Sequence, residues 1–285
     1  MIFEKNHIIA TPSKKPIVYD VCFSKTSTPK PVVIFCHGYK GFKDWGAWDL
    51  VANAFAEAGF FFLKFNFSHN GGTIAQPIDF PDLETFAQNN YTKELDDLDR
   101  VINHLETPNS FTKEMDLSAL TLVGHSRGGG IVLIKAEEDT RVKKVIGWAG
   151  VSDFKARFLE GTEGFDQWKR TGIIHIENGR TKQQMPHYFQ FYTNFKEQEE
   201  RLTISRAVKS LSIPHLIVHG DEDPTVTITE ARAIHHWNPS SHLHIIQGGN
   251  HVFGVGHPWE EETLPEDLKR AVNASIDFIQ QKGYN

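Results

Sequence analysis

Short apolar runs, each about the length of one strand, constrain this chain most. "PVVIFCHG" (31–38), "FFFLKFNF" (60–67), "KKVIGWAG" (143–150), "IPHLIVHG" (213–220) and "HLHIIQGG" (242–249) are nearly continuous rather than alternating, the mark of strands buried on both faces. Between them lie segments with helical spacing. "DWGAWDLVANAFAEAG" (44–59) places Trp48, Val51, Ala52 and Phe55 on one face and stops at Gly59. "TKELDDLDRVINHLE" (92–106), "ITEARAIHHW" (228–237) and "PEDLKRAVNASIDFIQQ" (265–281) read the same way. Strand alternating with helix predicts an α/β fold, a mostly parallel sheet of about eight strands with helices on both faces. "IVYDVCF" (17–23) alternates, and no helix separates it from 31–38, which predicts an antiparallel edge.

The rhythm breaks between 152 and 208, where mixed charge, scattered glycines and many aromatics stand between two strands that otherwise continue the pattern. This predicts an insertion over one end of the sheet within a single domain spanning 1–285. Net charge is −6 with no basic stripe, which excludes a nucleic-acid partner held through phosphates. No apolar run is long enough to span a membrane, and the first residues lack the order of a signal peptide. Cys22 and Cys36 sit in apolar runs and read as reduced core residues, so a cytoplasmic location is expected. The 15 histidines raise the question of a metal, but His235-His236 and His242/His244 have no Cys or carboxylate at ligand spacing. No metal or cofactor is expected.

In "LTLVGHSRGGGIVLI" (120–134) a strand turns abruptly into a helix, and Ser126 stands at the tip between Gly124 and Gly128. Such a G-x-S-x-G turn holds its serine in a strained conformation, and side chains at the flanking positions would collide with strand and helix. In a parallel sheet, ligands bind at the carboxyl ends of the strands, where Ser126 lies. A serine hydroxyl needs a base within hydrogen-bond reach and a third group to orient that base. Two later strand ends offer both: "HGDEDPTV" (219–226) carries Asp221 and Asp223, and "QGGNHVFG" (247–254) carries His251. The order serine, acid, histidine is the one that accompanies this elbow.

On these residues the chain resembles the α/β-hydrolase superfamily, specifically its serine-esterase branch, from Pro31 onward with the insertion as a cap. The resemblance implies Ser126 as nucleophile, His251 as base and Asp223, three residues after the glycine of "HGDED", as the acid. Asp221 then serves to fix its loop, and Asp153 is a more distant candidate. His257 lies close enough in sequence to line the site, or it bonds backbone in its loop. The oxyanion donors implied are the backbone N–H groups of Arg127 and of Tyr39, which follows His37-Gly38 in "HGYKGFKDW". Within the superfamily the likeness is to the cinnamoyl/feruloyl-esterase and dienelactone-hydrolase-like group, although dienelactone hydrolases proper use cysteine where Ser126 stands.

The expected activity is hydrolysis of small carboxylic esters through a Ser126 acyl-enzyme. His37 and Gly38, with Phe189 and Tyr192 of the insertion, are the expected substrate contacts. The insertion's rings serve either as walls of a pocket or as the insertion's own core, and the periodicity of "HYFQFYTNF" fits both strand and helix. Two other functions fit less of the pattern. A serine peptidase could hold a substrate's amino group with Glu160, Glu163 or Glu177, and a non-catalytic relative would use the pocket only to bind.

Overall fold

The continuous apolar runs become the strands that are covered on both sides. In the computed structural model, which describes residues 1–281, β1 (Ile2–Ile9), β2 (Ile17–Phe23) and β3 (Lys30–Cys36) are followed by α1 (Trp48–Glu57) and β4 (Phe61–Phe65). Then come α2 (Leu83–Ala87), α3 (Tyr91–Glu106), β5 (Met115–His125), α4 (Arg127–Glu138) and β6 (Val142–Trp148). The segment up to the next sheet strand holds α5 (Glu163–Thr171), the hairpin β7 (Ile173–Glu177) and β8 (Gln184–Tyr188), α6 (Gln190–Glu197) and α7 (Ile204–Ser210). The chain closes with β9 (His215–Gly220), α8 (Ile228–Trp237), β10 (His242–Ile246) and α9 (Glu266–Ile279).

Eight strands form one sheet in the order β1-β2-β4-β3-β5-β6-β9-β10. β1 pairs antiparallel with β2 and β2 with β4, and every other neighbouring pair is parallel. The antiparallel edge is therefore two strands wide. β2 and β3 are not neighbours, because β4 lies between them. Alternate residues of β3 show why its sequence is apolar throughout. Val32, Ile34 and Cys36 pack on one side with α3 and α4, while Val33 and Phe35 pack on the other with α1 and α9. The sheet reverses its winding at β3, which has β4 on one side and β5 on the other, and the carboxyl end of such a switch point is where ligands bind.

A buried ion network braces the antiparallel edge against the loop after β3. Asp20 of β2 accepts from Lys43 Nζ at 2.9 Å and from Lys64 Nζ of β4 at 2.6 Å, and all three side chains are fully or almost fully buried. Lys64 also reaches Asp44 and Asp49, each at 2.8 Å. Oxygens of Asp20, Asp44 and Asp49 lie within 4.8 Å of one another, and the Lys64 ammonium contacts all three. The backbone N–H of Lys43 donates to Asn66 Oδ1 at 2.7 Å, so this loop is fixed at its main chain as well.

Candidate active site

Ser126 sits between β5 and α4 with φ 56° and ψ −118°, a positive φ that a side chain rarely adopts. The turn is held from three directions. Ser126 N–H donates to Trp148 O at 2.9 Å, and Ser126 O accepts from Gly129 N–H at 3.0 Å and Val151 N–H at 3.2 Å. Glycine is required on both sides by space. A Cβ on Gly124 would lie 2.2 Å from Gly128 O, and one on Gly128 would lie 2.4 Å from Cys36 O. Because α4 begins at Arg127, the N–H groups of Arg127 and Gly128 have no carbonyl of an earlier helical turn to bond.

The loops after β9 and β10 bring the other two groups to this point. His251 Nε2 lies 3.0 Å from Ser126 Oγ, and its Nδ1 lies 2.7 Å from Asp223 Oδ2. The other oxygen of Asp223 accepts the backbone N–H groups of Thr225 at 2.8 Å and Val226 at 2.9 Å. Burial opposes the charge on Asp223. Hydrogen bonds from His219, His251 and the Val226 N–H outweigh that opposition and hold the carboxyl well below the usual carboxylate range. The group beside His251 is therefore an anion at neutral pH, suited to stabilising an imidazolium.

Asp221 does something different: its Oδ1 accepts Gly248 N–H at 2.7 Å and ties the two loops together. Asp153 closes a local turn by accepting Lys155 N–H at 2.7 Å. His257 Nδ1 accepts Gly46 N–H at 2.8 Å, the loop role open to it from sequence. His125, which sequence reasoning did not single out, has Nε2 2.8 Å from the carbonyl of His251. Burial, followed by the neighbouring His251, pushes His125 down to about 3, so it stays neutral and donates to that carbonyl.

The loop after β3 lies against the serine. A Cβ on Gly38 would be 2.9 Å from Ser126 Cβ and 3.1 Å from His125 O. His37 is buried, with Nδ1 2.9 Å from Gly38 O and Nε2 accepting Phe67 N–H at 3.3 Å. Burial holds it down at about 4. His37 is thus spent on shaping the loop and does not reach the cavity, contrary to its expected substrate contact. Gly38 likewise contributes close approach and no wall. Tyr39 does reach the cavity, and its hydroxyl lies 2.7 Å from His187 Nε2.

That cavity, about 340 Å³, opens above Ser126 and Arg127. Its walls come from the segment between β6 and β9 (Phe158, Trp168, Phe191) and from Tyr91 of α3. Phe189 and Tyr192, the expected substrate contacts, are not among the lining residues. They pack behind the cavity wall, against the lining residue Phe165, at ring-centroid distances of 5.8 and 4.8 Å. The reason is helical spacing: in α6 Phe191 and Phe195 share the face toward Tyr91, while Tyr192 is turned about 100° from Phe191. Tyr91 was missed because it belongs to a helix that otherwise reads as ordinary sheet cover. Glu160, Glu163 and Glu177 do not line the cavity either.

An open, mostly parallel sheet with a serine elbow at its switch point, and an acid and a histidine on later strand ends, defines the α/β-hydrolase class. The comparisons agree: residues 31–171 match the model of the alpha/beta hydrolase fold family, and the chain is an α/β-hydrolase-fold protein. It is 26% identical over 167 residues to serine hydrolase BPHL of Homo sapiens, a match spanning 55% of this chain and 56% of that protein. Among solved structures it resembles Est1E from Butyrivibrio proteoclasticus with bound ferulic acid (18% identity, TM-score 0.74, covering 97% of this chain and 98% of that one). It also resembles mouse alpha/beta hydrolase domain-containing protein 10 (17% identity, TM-score 0.69, covering 97% and 98%). Among the described residues no helix is long and apolar enough to cross a membrane.

Proposed function

We propose that the protein is a serine hydrolase that cleaves small carboxylic esters, with Ser126, His251 and Asp223 as its catalytic groups. One observation carries the reading: a single imidazole spans the Ser126 hydroxyl at 3.0 Å and a charged, buried carboxylate at 2.7 Å. Ser126 Oγ attacks the ester carbonyl as its proton passes to His251 Nε2. The tetrahedral oxyanion is met by the backbone N–H groups of Arg127 and Tyr39. The C–O bond then breaks, the alcohol leaves with the proton from His251, and an acyl-Ser126 ester remains. Water attacks that ester as His251 takes its proton, the acid is released, and Ser126 recovers its hydrogen.

Residues 152–208 act in this reading as a lid inserted in one catalytic domain, and Phe158, Trp168 and Phe191 form the walls of the pocket it encloses. Est1E is named with bound ferulic acid, an aromatic acid, and the aromatic walls here suit a flat or apolar substrate portion. No observation favours an aminopeptidase, since among the described residues no carboxylate lines the cavity to hold an amino group. The test is direct. A fluorophosphonate probe should label the protein at Ser126, and p-nitrophenyl acyl esters should be turned over. Ser126→Ala should lose about 10⁶ in kcat while its circular dichroism is unchanged. Turnover of aminoacyl anilides but not esters, or a variant keeping a tenth of the activity, would refute the proposal.

A further inference from the structure

The cavity is mainly apolar, yet among the described residues two guanidinium groups, Arg127 and Arg157, line it and no carboxylate does. The two are not equivalent. Arg157 is partly exposed and ion-paired with Glu230. Arg127 is less exposed, its side chain 14% accessible, with its guanidinium carbon 4.3 Å from the ring centroid of Tyr39 and 5.3 Å from those of Tyr91 and Phe191. Contacts over rings engage the planar cation through its faces, whereas its five N–H donors project from its edges. Among the described residues only one of those donors has a partner: Nη1 reaches Glu94 Oε1 at 3.4 Å. That distance is long for a charge-assisted bond. The same oxygen already accepts from Asn89 Nδ2 at 2.7 Å, so Glu94 does not engage the fork through both its oxygens. The remaining donors have no protein partner among the described residues, and an acceptor on a ligand in the cavity that Arg127 lines would engage them.

We propose that Arg127 receives a carboxylate carried by the substrate, so that the esters cleaved at Ser126 bear a second, free acid group. The inference rests on the esterase reading and narrows its substrate class. A carboxylate matches the guanidinium fork with two parallel hydrogen bonds, which a neutral ester tail cannot do. One residue then serves the substrate twice, its N–H at the oxyanion and its side chain at the remote acid. The remote acid could belong to either half of the ester, and both arrangements share this chemistry.

The experiment compares kcat/KM within matched pairs. For the acyl side the pair is mono-p-nitrophenyl glutarate and p-nitrophenyl pentanoate; for the alcohol side it is 4-acetoxybenzoate and its methyl ester. Wild type should prefer the acid by about tenfold or more in at least one pair. Arg127→Met should bring that ratio to one or below, and because the ratio is taken within each variant, a change in absolute rate does not obscure it. Should Arg127→Met not fold, Arg127→Lys, which keeps the charge and loses the fork, should lower the ratio severalfold. Neutral-ester turnover with fluorophosphonate labelling, but no acid preference in either pair, overturns this inference and leaves the esterase reading standing. An undiminished preference in whichever variant folds also overturns it. No labelling and no turnover of any ester overturns both.

Discussion

At the scale of single residues, the arrangement around Ser126 depends on which atom each group spends on which neighbour. Asp223 commits one oxygen to two backbone N–H groups and the other to His251 Nδ1. An amide in its place could present an N–H where the imidazole needs an acceptor. Asp223→Asn should therefore keep the fold and lower kcat by about 10⁴, the size of effect known for an acid-to-amide change in another serine hydrolase. A loss below tenfold in steady-state assays would show that the acid is elsewhere. Gly38→Ala tests the loop: its Cβ would meet Ser126 Cβ at 2.9 Å, and a displaced oxyanion donor should cost about 10² in kcat, with KM nearly unchanged. The positions that came together were legible because each lies where a strand stops beside a glycine. The residues alone left Asp221 and Asp223 open, and only the structure shows the first bonding Gly248 N–H and the second facing His251. The roles of His37, Phe189 and Tyr192 were illegible, since whether a side chain faces a cavity or the wall behind it depends on helix rotation and loop path.

At the scale of elements, the strands covered on both faces were readable and the irregular ones were not. Nothing in the pattern marks β1: Asn6 has φ 61°, and the register with β2 shifts between Glu4 and His7, so the side chains do not alternate regularly. The β7–β8 hairpin was equally hidden, being short, partly exposed and interrupted by Pro186. "HYFQFYTNF" matched two periods because it holds two elements, β8 ending at Tyr188 and α6 starting at Gln190. The lysines in the apolar runs also had a meaning that pattern could not supply. Lys64 interrupts β4 because it joins Asp20, Asp44 and Asp49 under the loop that approaches Ser126. Lys64→Met should leave Asp20 short of one buried partner and cost about 3–5 kcal/mol, read as a lower urea midpoint at unchanged slope. A midpoint equal to that of wild type would show that Lys43 alone satisfies Asp20.

At the scale of the whole molecule, burial of neutral histidines sets how the fold responds to acid. Burial pushes His37 down to about 4, and His125, His187 and His215 down to about 3, from an ordinary 6.5. These groups stay neutral in the folded protein while the unfolded chain protonates them below about 6.5, so stability is lost as pH falls. Asp97 works the other way. Burial pushes its carboxyl up to about 6, so the folded state holds a proton that the unfolded chain releases down to about 3.8. Unfolding on acidification then takes up protons net, and each one contributes a slope of about 1.4 kcal/mol per pH unit. The melting temperature should fall steeply from pH 7 to pH 5, and a flat profile would contradict the burial of these rings. His215 isolates one proton of that slope. Both its ring nitrogens are buried without a hydrogen-bond partner among the described residues, at the start of β9, where His215 pairs with Val145 of β6. An apolar side chain of similar size avoids that unmet polarity, so His215→Leu should be about 1–3 kcal/mol more stable at pH 7. Its denaturation midpoint should also fall less on acidification than that of wild type, by the share of a single imidazole. A variant that was both less stable and equally acid-sensitive would mean that the ring at 215 is hydrogen-bonded in solution and that the acid response arises from the other three.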